Sequence, residues 1–465
     1  MKHLLIAGYL AAMGFGAPAQ AQSQDRPPLG VLPAYSRDYT FLADPARRTD
    51  ALDTLKYIPL GSSPDVYLSL SGEARLRYDD FTHNPGFGIN APLSDDYVFT
   101  RAALGADLHL GPRLHLFGQL VSTRVNGKIG ALSQTDASGY DWQQGFAEVS
   151  LPQTGETHLG LRLGRQEVIL GSQRLVALRD GPNIRQAFDG VRFLMKRDRF
   201  DLTAFAFHPV RPGVRSFDDR SDRSQDFYGV YATIPLAGVT GAWLDLYVLQ
   251  LNRRAARFAQ GTADERRSSV GGRLWGNRAA IDYNFEALYQ FGDFGSKTIR
   301  AWTWSSDTGY TPSGLALAPR FGLKADIASG DKNPNDGVLG TFNPLFPKGG
   351  YFTETGLVGP ANIADLQPNL TLNPSRSVSL VLGIDLLWRQ TTADAVYRQP
   401  NVPIPGTSGA AKRFTGTQAF VSPTWQIDSH TLLSATFVHA SAGQAIRVAG
   451  GKPSDYASAW LTYRF

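Results

Sequence analysis

Apolar and polar positions alternate along most of the chain, and the stretch from Asp455 to Phe465 shows this pattern most simply. One set of alternate positions holds Ala457, Ala459, Leu461, Tyr463 and Phe465, and the other holds Tyr456, Ser458, Trp460, Thr462 and Arg464. Successive side chains of a β-strand point to opposite faces. The pattern therefore predicts a strand with one apolar and one polar face.

The same alternation begins at residue 66. Val66, Leu68, Leu70, Ala74, Leu76 and Tyr78 share one face of the first strand, and Tyr67, Ser69, Ser71, Glu73, Arg75 and Arg77 share the other. Counting such segments predicts eighteen strands, at residues 66–78, 97–110, 113–124, 140–151, 157–166, 187–196, 199–208, 225–235, 242–252, 267–276, 279–291, 297–310, 319–329, 361–373, 376–390, 412–426, 430–440 and 454–465.

The predicted connections alternate in length. The short ones are Gly111-Pro112, 196–198, 276–278, 373–375 and 427–429, and the long ones are 79–96, 125–139, 167–186, 209–224, 253–266, 330–360, 391–411 and 441–453. Short periplasmic turns and long extracellular loops are typical of outer-membrane β-barrels. An even number of strands also places both ends of the barrel segment on the periplasmic side.

Composition favours a membrane barrel over other classes. Outside the N-terminus the sequence has no run of about 20 apolar residues, the length that a spanning helix needs. A closed barrel is the other structure that satisfies its backbone in lipid, and its half-apolar strands explain a mean hydropathy of -0.21. A soluble sandwich would alternate equally well, but it does not explain the strand lengths, the loop asymmetry and the aromatic Phe465. We predict an all-β, transmembrane antiparallel β-barrel of about eighteen strands.

The N-terminus predicts export. Lys2 precedes an apolar run from Leu4 to Phe15, and Ala19-Gln20-Ala21 has the small-x-small pattern of a signal-peptidase site. We therefore expect residues 1–21 to be a signal peptide that is cleaved near Ala21. Residues 22–65 are rich in proline and lack a clear period, so they form either a periplasmic segment or a plug folded back into the barrel. Residues 66–465 form the barrel in the bacterial outer membrane.

Little in the sequence indicates catalysis or a bound cofactor. There is no cysteine, and the net charge of +5 over 465 residues is too small to indicate nucleic acid. The histidines are scattered, and H-E-x-x-H, G-x-S-x-G and phosphate-loop motifs are absent from the sequence. We predict no enzyme, cofactor or metal. The open alternative is a barrel hydrolase whose rim site would use His83, His208 or His439.

Several motifs resemble a known family. They are Gly164-Arg165-Gln166-Glu167, Gly171-Ser172-Gln173-Arg174-Leu175-Val176, Arg179-Asp180-Gly181-Pro182-Asn183-Ile184-Arg185, Phe188-Asp189-Gly190-Val191-Arg192, Ala328-Ser329-Gly330-Asp331 and Gly340-Thr341-Phe342-Asn343-Pro344-Leu345-Phe346-Pro347. From about Tyr67 to Phe465 the chain resembles the alginate export family. The resemblance implies an eighteen-stranded outer-membrane barrel that passes a polyanionic uronate polymer through an arginine-lined constriction, with Arg165 as a matched pore candidate.

Strand parity provides the other candidates for the substrate path. The bases on the predicted lumen face are Arg75, Arg77, Arg101, Arg162, Arg192, Arg273, Lys324, Arg389 and Arg464, and the acids are Glu73, Asp107, Glu148, Asp245, Asp282, Glu286, Asp326 and Asp385. Guanidinium groups bind carboxylates in bidentate fashion, so a row of arginines can guide a polyuronate. The alternative is that these bases and acids pair across strands and stabilise the wall.

Two further positions leave alternatives open. Parity places Arg165 with Leu161 and Leu163 on the lipid face, unless Gly164 marks a bulge that reverses the register or Arg165 lies above the bilayer. The loop at residues 167–186 contains Arg174, Arg179 and Arg185. This loop either folds inward as a constriction or remains solvated.

These observations predict a passive channel for an anionic polysaccharide such as alginate. An uptake porin for small anions or oligosaccharides is the alternative within transport. The expected partners are outer-membrane lipid, the barrel-assembly machinery and the anionic solute. Periplasmic and inner-membrane export components would join them if the direction is export.

Overall fold

The computed structural model describes residue 29 and residues 34–89, 93–152 and 155–465. The predicted signal peptide and its cleavage site near Ala21 lie outside these residues. The barrel strands are β1 (Val66–Asn84), β2 (Leu93–Leu110), β3 (Leu114–Asn126), β4 (Ser138–Ser150), β5 (Thr157–Gln166), β6 (Phe188–Arg197), β7 (Phe200–Arg211), β8 (Gln225–Pro235), β9 (Ala242–Phe258), β10 (Gly261–Arg278), β11 (Ile281–Phe294), β12 (Lys297–Tyr310), β13 (Arg320–Ala328), β14 (Ile363–Leu372), β15 (Val378–Trp388), β16 (Phe414–Gln426), β17 (Thr431–Ala442) and β18 (Ser454–Arg464).

The sheet closes on itself. Each strand pairs antiparallel with its neighbours in the chain, and β18 pairs with β1 from Glu73↔Arg464 to Phe81↔Tyr456. The peptide groups of Gly72 and Phe465 exchange two hydrogen bonds of 3.0 Å at the end of this seam. The predicted eighteen-stranded antiparallel barrel is therefore confirmed.

The two faces of the wall have the predicted polarity. Leu76, Leu104 and Leu163 are exposed on the outside, whereas inward Arg75 and Arg101 are each only 3% exposed. Exposed outward aromatic residues lie towards the extracellular ends at Tyr78, Trp142, Tyr228, Tyr289 and Trp302, and towards the periplasmic ends at Tyr310, Phe321, Trp425 and Tyr463. An apolar band between two aromatic girdles is the surface that a bilayer requires.

One predicted loop is wrong. Strands β9 and β10 run on as a long hairpin whose turn comprises only residues 259 and 260, where the sequence predicted a loop at 253–266. The pairing shifts register between Arg253 and Ala256. This irregularity interrupts the alternation that the prediction followed, and so a continuous strand looked like a loop.

Short elements complete the described chain. They are the 3-10 turns Ala34–Ser36, Thr40–Ala43, Pro45–Arg47 and Gly86–Gly88, the helices α1 (Asp53–Lys56) and α2 (Gln444–Arg447), and the two-residue strands Ile58–Pro59, Arg220–Ser221, Val338–Leu339, Tyr397–Arg398 and Val402–Pro403. In the described ranges, no helix has both the length and the apolar character needed to cross a membrane.

Residues 34–65 contact the inner wall of the barrel. Ile58 and Pro59 pair with Leu68 and Tyr67 of β1. The ring of Tyr57 stacks on that of Tyr67, with centroids 4.8 Å apart. Because Tyr67 lies on the lumen face, these contacts bring the segment to the inside of the wall at its periplasmic end.

The same segment reaches further into the lumen at Tyr35. Its ring contacts the inward-facing rings of Phe117 and Phe146 at centroid distances of 5.1 and 4.9 Å. The guanidinium of Arg162 lies 4.3 Å from the centroid of the Tyr35 ring. Contacts with strands β3, β4 and β5 thus accompany those with β1.

Lys56 connects this segment to the seam of the barrel. The residue is 4% exposed, and its ammonium donates to the carbonyl of Leu70 at 2.7 Å. The Lys56 ammonium also lies over the Phe465 ring, 5.0 Å from its centroid. Burial, with a contribution from nearby Arg37, lowers the pKa of Lys56 to about 7.

We expect docking of residues 34–65 to tighten as the pH rises above 7. The lowered pKa of Lys56 means that the docked segment binds fewer protons than the undocked one between pH 7 and the ordinary lysine value of 10.5. The docking constant should therefore grow by up to about tenfold per pH unit in this window. A spin label on Ala46→Cys, in a chain without other cysteines, would report the mobile fraction by electron paramagnetic resonance. Lys56→Met should lose the dependence, and an unchanged dependence in this variant would contradict the prediction.

Candidate functional site

The loop between β5 and β6 folds into the barrel, and we call it inner loop 1 (residues 167–187). Its backbone is held by arginines of β1 and β2. Arg75 donates to the carbonyls of Asp180 and Pro182 at 2.7 and 3.3 Å, Arg77 donates to that of Gly181, and Arg101 donates to that of Asn183 at 3.4 Å. The inward-folded alternative for this loop is therefore the observed one.

The carboxylate of Asp180 joins three guanidinium groups. It lies 3.6 Å from Arg75 Nη1 and 2.6 Å from Arg185 Nε, and it also contacts Arg101. Burial opposes ionisation, but Arg185, Arg101 and Arg75 outweigh it and hold the pKa of Asp180 well below its usual range. Asp180 is thus a fixed negative charge at the centre of the contact between loop and wall.

Asn183 fixes the same loop through its side chain. Its amide Nδ2 lies within 3.2 Å of the carbonyl oxygens of Thr100, Arg124 and Asp136. Asn183 is 1% exposed. Several hydrogen bonds to one buried amide give inner loop 1 a single position against strands β2 and β3.

The loop between β13 and β14, which we call inner loop 2 (residues 329–362), meets inner loop 1 inside the barrel. Phe346 exchanges backbone hydrogen bonds with the partner loop, accepting from Ala177 N at 3.0 Å and donating to Leu175 O at 2.8 Å. Its ring contacts those of Phe188 and Phe227, with centroids 5.1 and 5.0 Å apart. Phe346 therefore anchors both loops to the wall at β6 and β8.

Asn343 provides a polar anchor for inner loop 2. Its backbone N donates to Gln290 Oε1 at 3.0 Å, and its side-chain Nδ2 donates to Glu265 Oε1 at 3.2 Å. Glu265 is in turn paired with Arg267, Nε to Oε1, at 2.6 Å. The buried charges of β10 thus bind the loop as well as each other.

Arg389 holds a third loop, residues 389–413. Its side chain is fully buried. Within the described residues, its guanidinium donates hydrogen bonds to backbone carbonyls, which belong to Thr392, Asp394, Thr407, Ala410 and Lys412. A guanidinium enclosed in this way does not face the passage.

Most other bases predicted on the substrate path also contact wall residues. Arg162 pairs with Glu148, Arg273 with Asp245 at 2.7 Å and Arg464 with Glu73 at 2.8 Å, while Lys324 lies 4.0 Å from Asp307 and Arg192 Nε donates to Thr203 at 2.8 Å. These positions agree with the alternative in which bases and acids stabilise the wall across strands.

Arg165 lies on the outside of the barrel. The ladders of β5 with β4 and β6 run without a register shift through residues 163 to 165, so Arg165 shares the face of exposed Leu163. Its guanidinium pairs with Asp189 on β6 at 2.8 Å. Arg165 is one residue before the end of β5. Placing Arg165 in the lumen is therefore wrong, as is a register reversal at Gly164. Glycine is required there because a Cβ would lie 2.3 Å from the carbonyl of Gly145 at a φ of +133°.

The basic residues of inner loops 1 and 2 differ in how closely they pair with carboxylates. Arg174 lies 3.5 Å from Glu286, and Arg185 pairs with both Asp180 and Glu73. Arg179 and Lys348, by contrast, form no ion pair within 4.0 Å with a carboxylate of the described ranges. We call these two residues the cationic pair.

The cationic pair lies where the inner loops meet. Arg179 Nε donates to the carbonyl of Pro347 at 3.0 Å, and Lys348 N donates to the carbonyl of Gln173 at 3.2 Å. Both side chains are half-buried. Burial lowers the pKa of Arg179 to about 10, and burial with the repulsion of Lys324 and Arg174 lowers that of Lys348 to about 8. Sequence analysis missed Lys348, although it directly follows the motif that ends at Pro347.

A closed barrel with an apolar outside, a polar inside and loops that narrow its lumen defines an outer-membrane channel. The alginate export family model matches residues 66–459, and the chain belongs to that family. No curated protein matches the chain.

Solved porins share the fold. Pseudomonas aeruginosa OccK8 (OprE) is 12% identical with a TM-score of 0.57, covering 86% of this chain and 98% of that one. Acinetobacter baumannii OccAB1 is 11% identical with a TM-score of 0.58, covering 85% and 96%. Pseudomonas aeruginosa OccK2 (OpdF), solved in complex with glucuronate, is 10% identical with a TM-score of 0.53, covering 86% and 96%. Identities this low establish a common fold.

Asp180→Asn should raise both anion selectivity and current noise. The change leaves Arg75, Arg101 and Arg185 without their shared carboxylate and weakens the docking of inner loop 1 by about 3 kcal/mol. Reversal potentials in a salt gradient and the variance of the open single-channel current would measure the two effects. Asp293→Asn removes an exposed acid from β11 and serves as the matched control. Equal selectivity and noise in the two variants would argue against the role of Asp180.

Proposed function

We propose that this chain is a passive channel for anionic saccharides, with an alginate-like polyuronate as its substrate class. The observation that carries the proposal is the cationic pair, because Arg179 and Lys348 lie at the junction of the inner loops and neither forms an ion pair within 4.0 Å with a carboxylate of the described residues. Each sugar of a polyuronate carries one carboxylate, so such a polymer can meet these cations repeatedly as it passes.

The chemistry of the pair suits transit. A guanidinium binds a carboxylate through two parallel hydrogen bonds, and an ammonium acts as a mobile point charge. Conduction needs contacts favourable enough to admit a solute and weak enough to release it. Two half-buried cations satisfy both needs, since each keeps partial contact with water.

The wall arginines have a different role in this proposal. Arg75, Arg77 and Arg101 bind the backbone of inner loop 1, so they set the shape of the passage and contribute little free charge to it. The basic character that guides an anion is then concentrated at the loops. This differs from an arginine-lined path along the whole length of the barrel.

A small-anion uptake channel is the second candidate. Residues Thr341 to Pro347 are buried against inner loop 1 and the wall, which narrows the lumen. The fold neighbour OccK2 was solved with glucuronate, a single uronate sugar. A narrow passage with a local cation pair suits a monomer or short oligomer as well as a polymer.

We propose further that the chain has no hydrolase site. His83 contacts the carbonyl of Pro453, His208 that of Gln225, and His439 pairs with Asp455 at 2.7 Å. Within the described residues, none of these imidazoles forms a hydrogen bond with a serine or threonine hydroxyl. A rim hydrolase would need such a contact to activate its nucleophile.

We also propose that residues 34–65 act as a plug in the periplasmic mouth. Tyr35 and Tyr57 contact lumen-facing rings, and Lys56 binds the seam of the barrel. Export would then require partners on the periplasmic side that displace this segment. Insertion of the barrel would use the barrel-assembly machinery.

Uronate oligomers should block the single-channel current of the purified protein in a saturable manner. The variants Arg179→Gln and Lys348→Met should weaken this block by about tenfold each, because each loses one charge-assisted contact of about 1.4 kcal/mol. Lys332→Met removes an exposed cation of the same loop and is the control.

A series from monomer to long oligomer separates the two candidates. Block that strengthens with length supports the polymer, and block by the monomer alone supports small-anion uptake. Steady current with every oligomer would reject both.

Block should weaken as the pH rises through 8. The ammonium of Lys348 is charged below its pKa of about 8 and neutral above it, whereas Arg179, with a pKa of about 10, stays charged. Titrating the block constant of one oligomer from pH 7 to pH 9 tests this. The loss of affinity should be absent in Lys348→Met, and its persistence there would assign the titration to another group.

A further inference from the structure

Three side chains with metal-binding atoms meet at the β2–β3 hairpin. Asp107 and His109 are two residues apart on β2 and therefore share a face, and His115 is the direct cross-strand partner of His109. The tight turn at residues 111–113 lies just beyond this pair. The hairpin register thus gathers three residues that look scattered in the sequence.

The donor atoms lie close enough together for one ion to contact all three residues. One nitrogen from each imidazole and one oxygen of Asp107 all lie within 4.8 Å of one another. His109 Nε2 is 3.3 Å from Asp107 Oδ1, and His115 Nε2 contacts the same oxygen. Tetrahedral ligands at the usual zinc distances of about 2.0 to 2.2 Å are separated by about 3.3 Å, which is the separation of the His109 and Asp107 atoms. His115 would move away from the Asp107 oxygen to admit the ion.

We propose that Asp107, His109 and His115 form a binding site for a divalent transition-metal ion, with Zn²⁺ as the natural test ion. Two imidazole nitrogens and one carboxylate oxygen suit zinc, nickel or copper better than calcium or magnesium, which prefer oxygen ligands. Three protein ligands leave a fourth position for water or a solute group. The two imidazoles are half-buried, so an ion has access to them.

Stacked rings preorganise the two imidazoles. The ring centroids of Tyr67 and His109 are 4.2 Å apart, and those of His109 and His115 are 4.6 Å apart with planes 16° from parallel. Tyr57 extends the stack on the other side of Tyr67 at 4.8 Å. A bound ion would thus fix a stack that includes one residue of the segment 34–65.

The competing account is a hydrogen-bonded group in which Asp107 accepts from two imidazole N–H groups. The two accounts differ in measurable ways, because a metal needs both nitrogens deprotonated and releases protons on binding. Cobalt(II) replaces zinc in such sites and gives visible absorption bands that report coordination by protein ligands. The experiment uses the full chain in detergent, purified without a histidine tag.

The expected result is one cobalt ion per chain, displaced by Zn²⁺. His115→Ala and Asp107→Asn should each weaken binding by at least about tenfold, since each removes one of three ligands. His208→Ala, at the extracellular end of β7, should bind as the unchanged protein does. Asp107→Asn keeps the shape of the side chain, and heat-modifiable gel migration confirms a folded barrel in each variant.

Two outcomes would overturn the proposal. One is the absence of a cobalt spectrum at millimolar metal, which would leave the hydrogen-bonded group as the account of the cluster. The other is equal affinity in Asp107→Asn and the unchanged protein, which would assign any bound ion to surface histidines. Neither outcome depends on the solute that the channel carries.

Discussion

A guanidinium inside a barrel needs hydrogen-bond acceptors, and this requirement organises the lumen. On the wall, Arg77 pairs with Asp79 and Arg101 pairs with Glu73. Further donors of these two guanidinium groups, and donors of Arg75, bond carbonyl oxygens of inner loop 1 or the Asp180 carboxylate. Leaving buried guanidinium donors without acceptors costs about 1 to 3 kcal/mol for each group, so departure of the loop is unfavourable. The position of inner loop 2 follows, because it pairs with inner loop 1 through Phe346. The wall thus fixes the loops, and the loops fix the passage.

This hierarchy explains which features the sequence could predict. Lipid outside and water inside impose a period of two on every strand, and from it the eighteen strands and the lumen position of Arg75 follow. The hairpin at 253–266 was not predicted, because its register shift interrupts the period of two. The partners of Arg75 were not predicted, because Asp180 lies 105 residues away along the chain. A periodic pattern carries no information about contacts between a strand and a loop. For Arg165 the period alone left two alternatives open, a bulge at Gly164 or a position above the bilayer, because a sequence does not show that Gly164 serves a close backbone approach instead.

The motifs that carry the family resemblance coincide with the contacts inside the barrel. The segment around Val176 pairs with that around Phe346, and the side chains of Asn183 and Asn343 form hydrogen bonds to the wall. In this chain these segments build an internal scaffold. The chemistry that selects a solute occupies few positions by comparison, and Lys348 lies just outside the motif next to it. The motifs therefore describe how this lumen is built more closely than what passes through it.

The seam between β1 and β18 has a consequence for assembly. On the periplasmic side of the bonds between Gly72 and Phe465, the edge of β1 pairs with Ile58 and Pro59. Lys56 contacts both Leu70 and the Phe465 ring. The binding place of the N-terminal segment is thus complete only after β18, which follows every other strand in the chain, has joined β1. Before that step the segment lacks its contact with the Phe465 ring. The segment therefore reaches its full set of contacts only in the closed barrel.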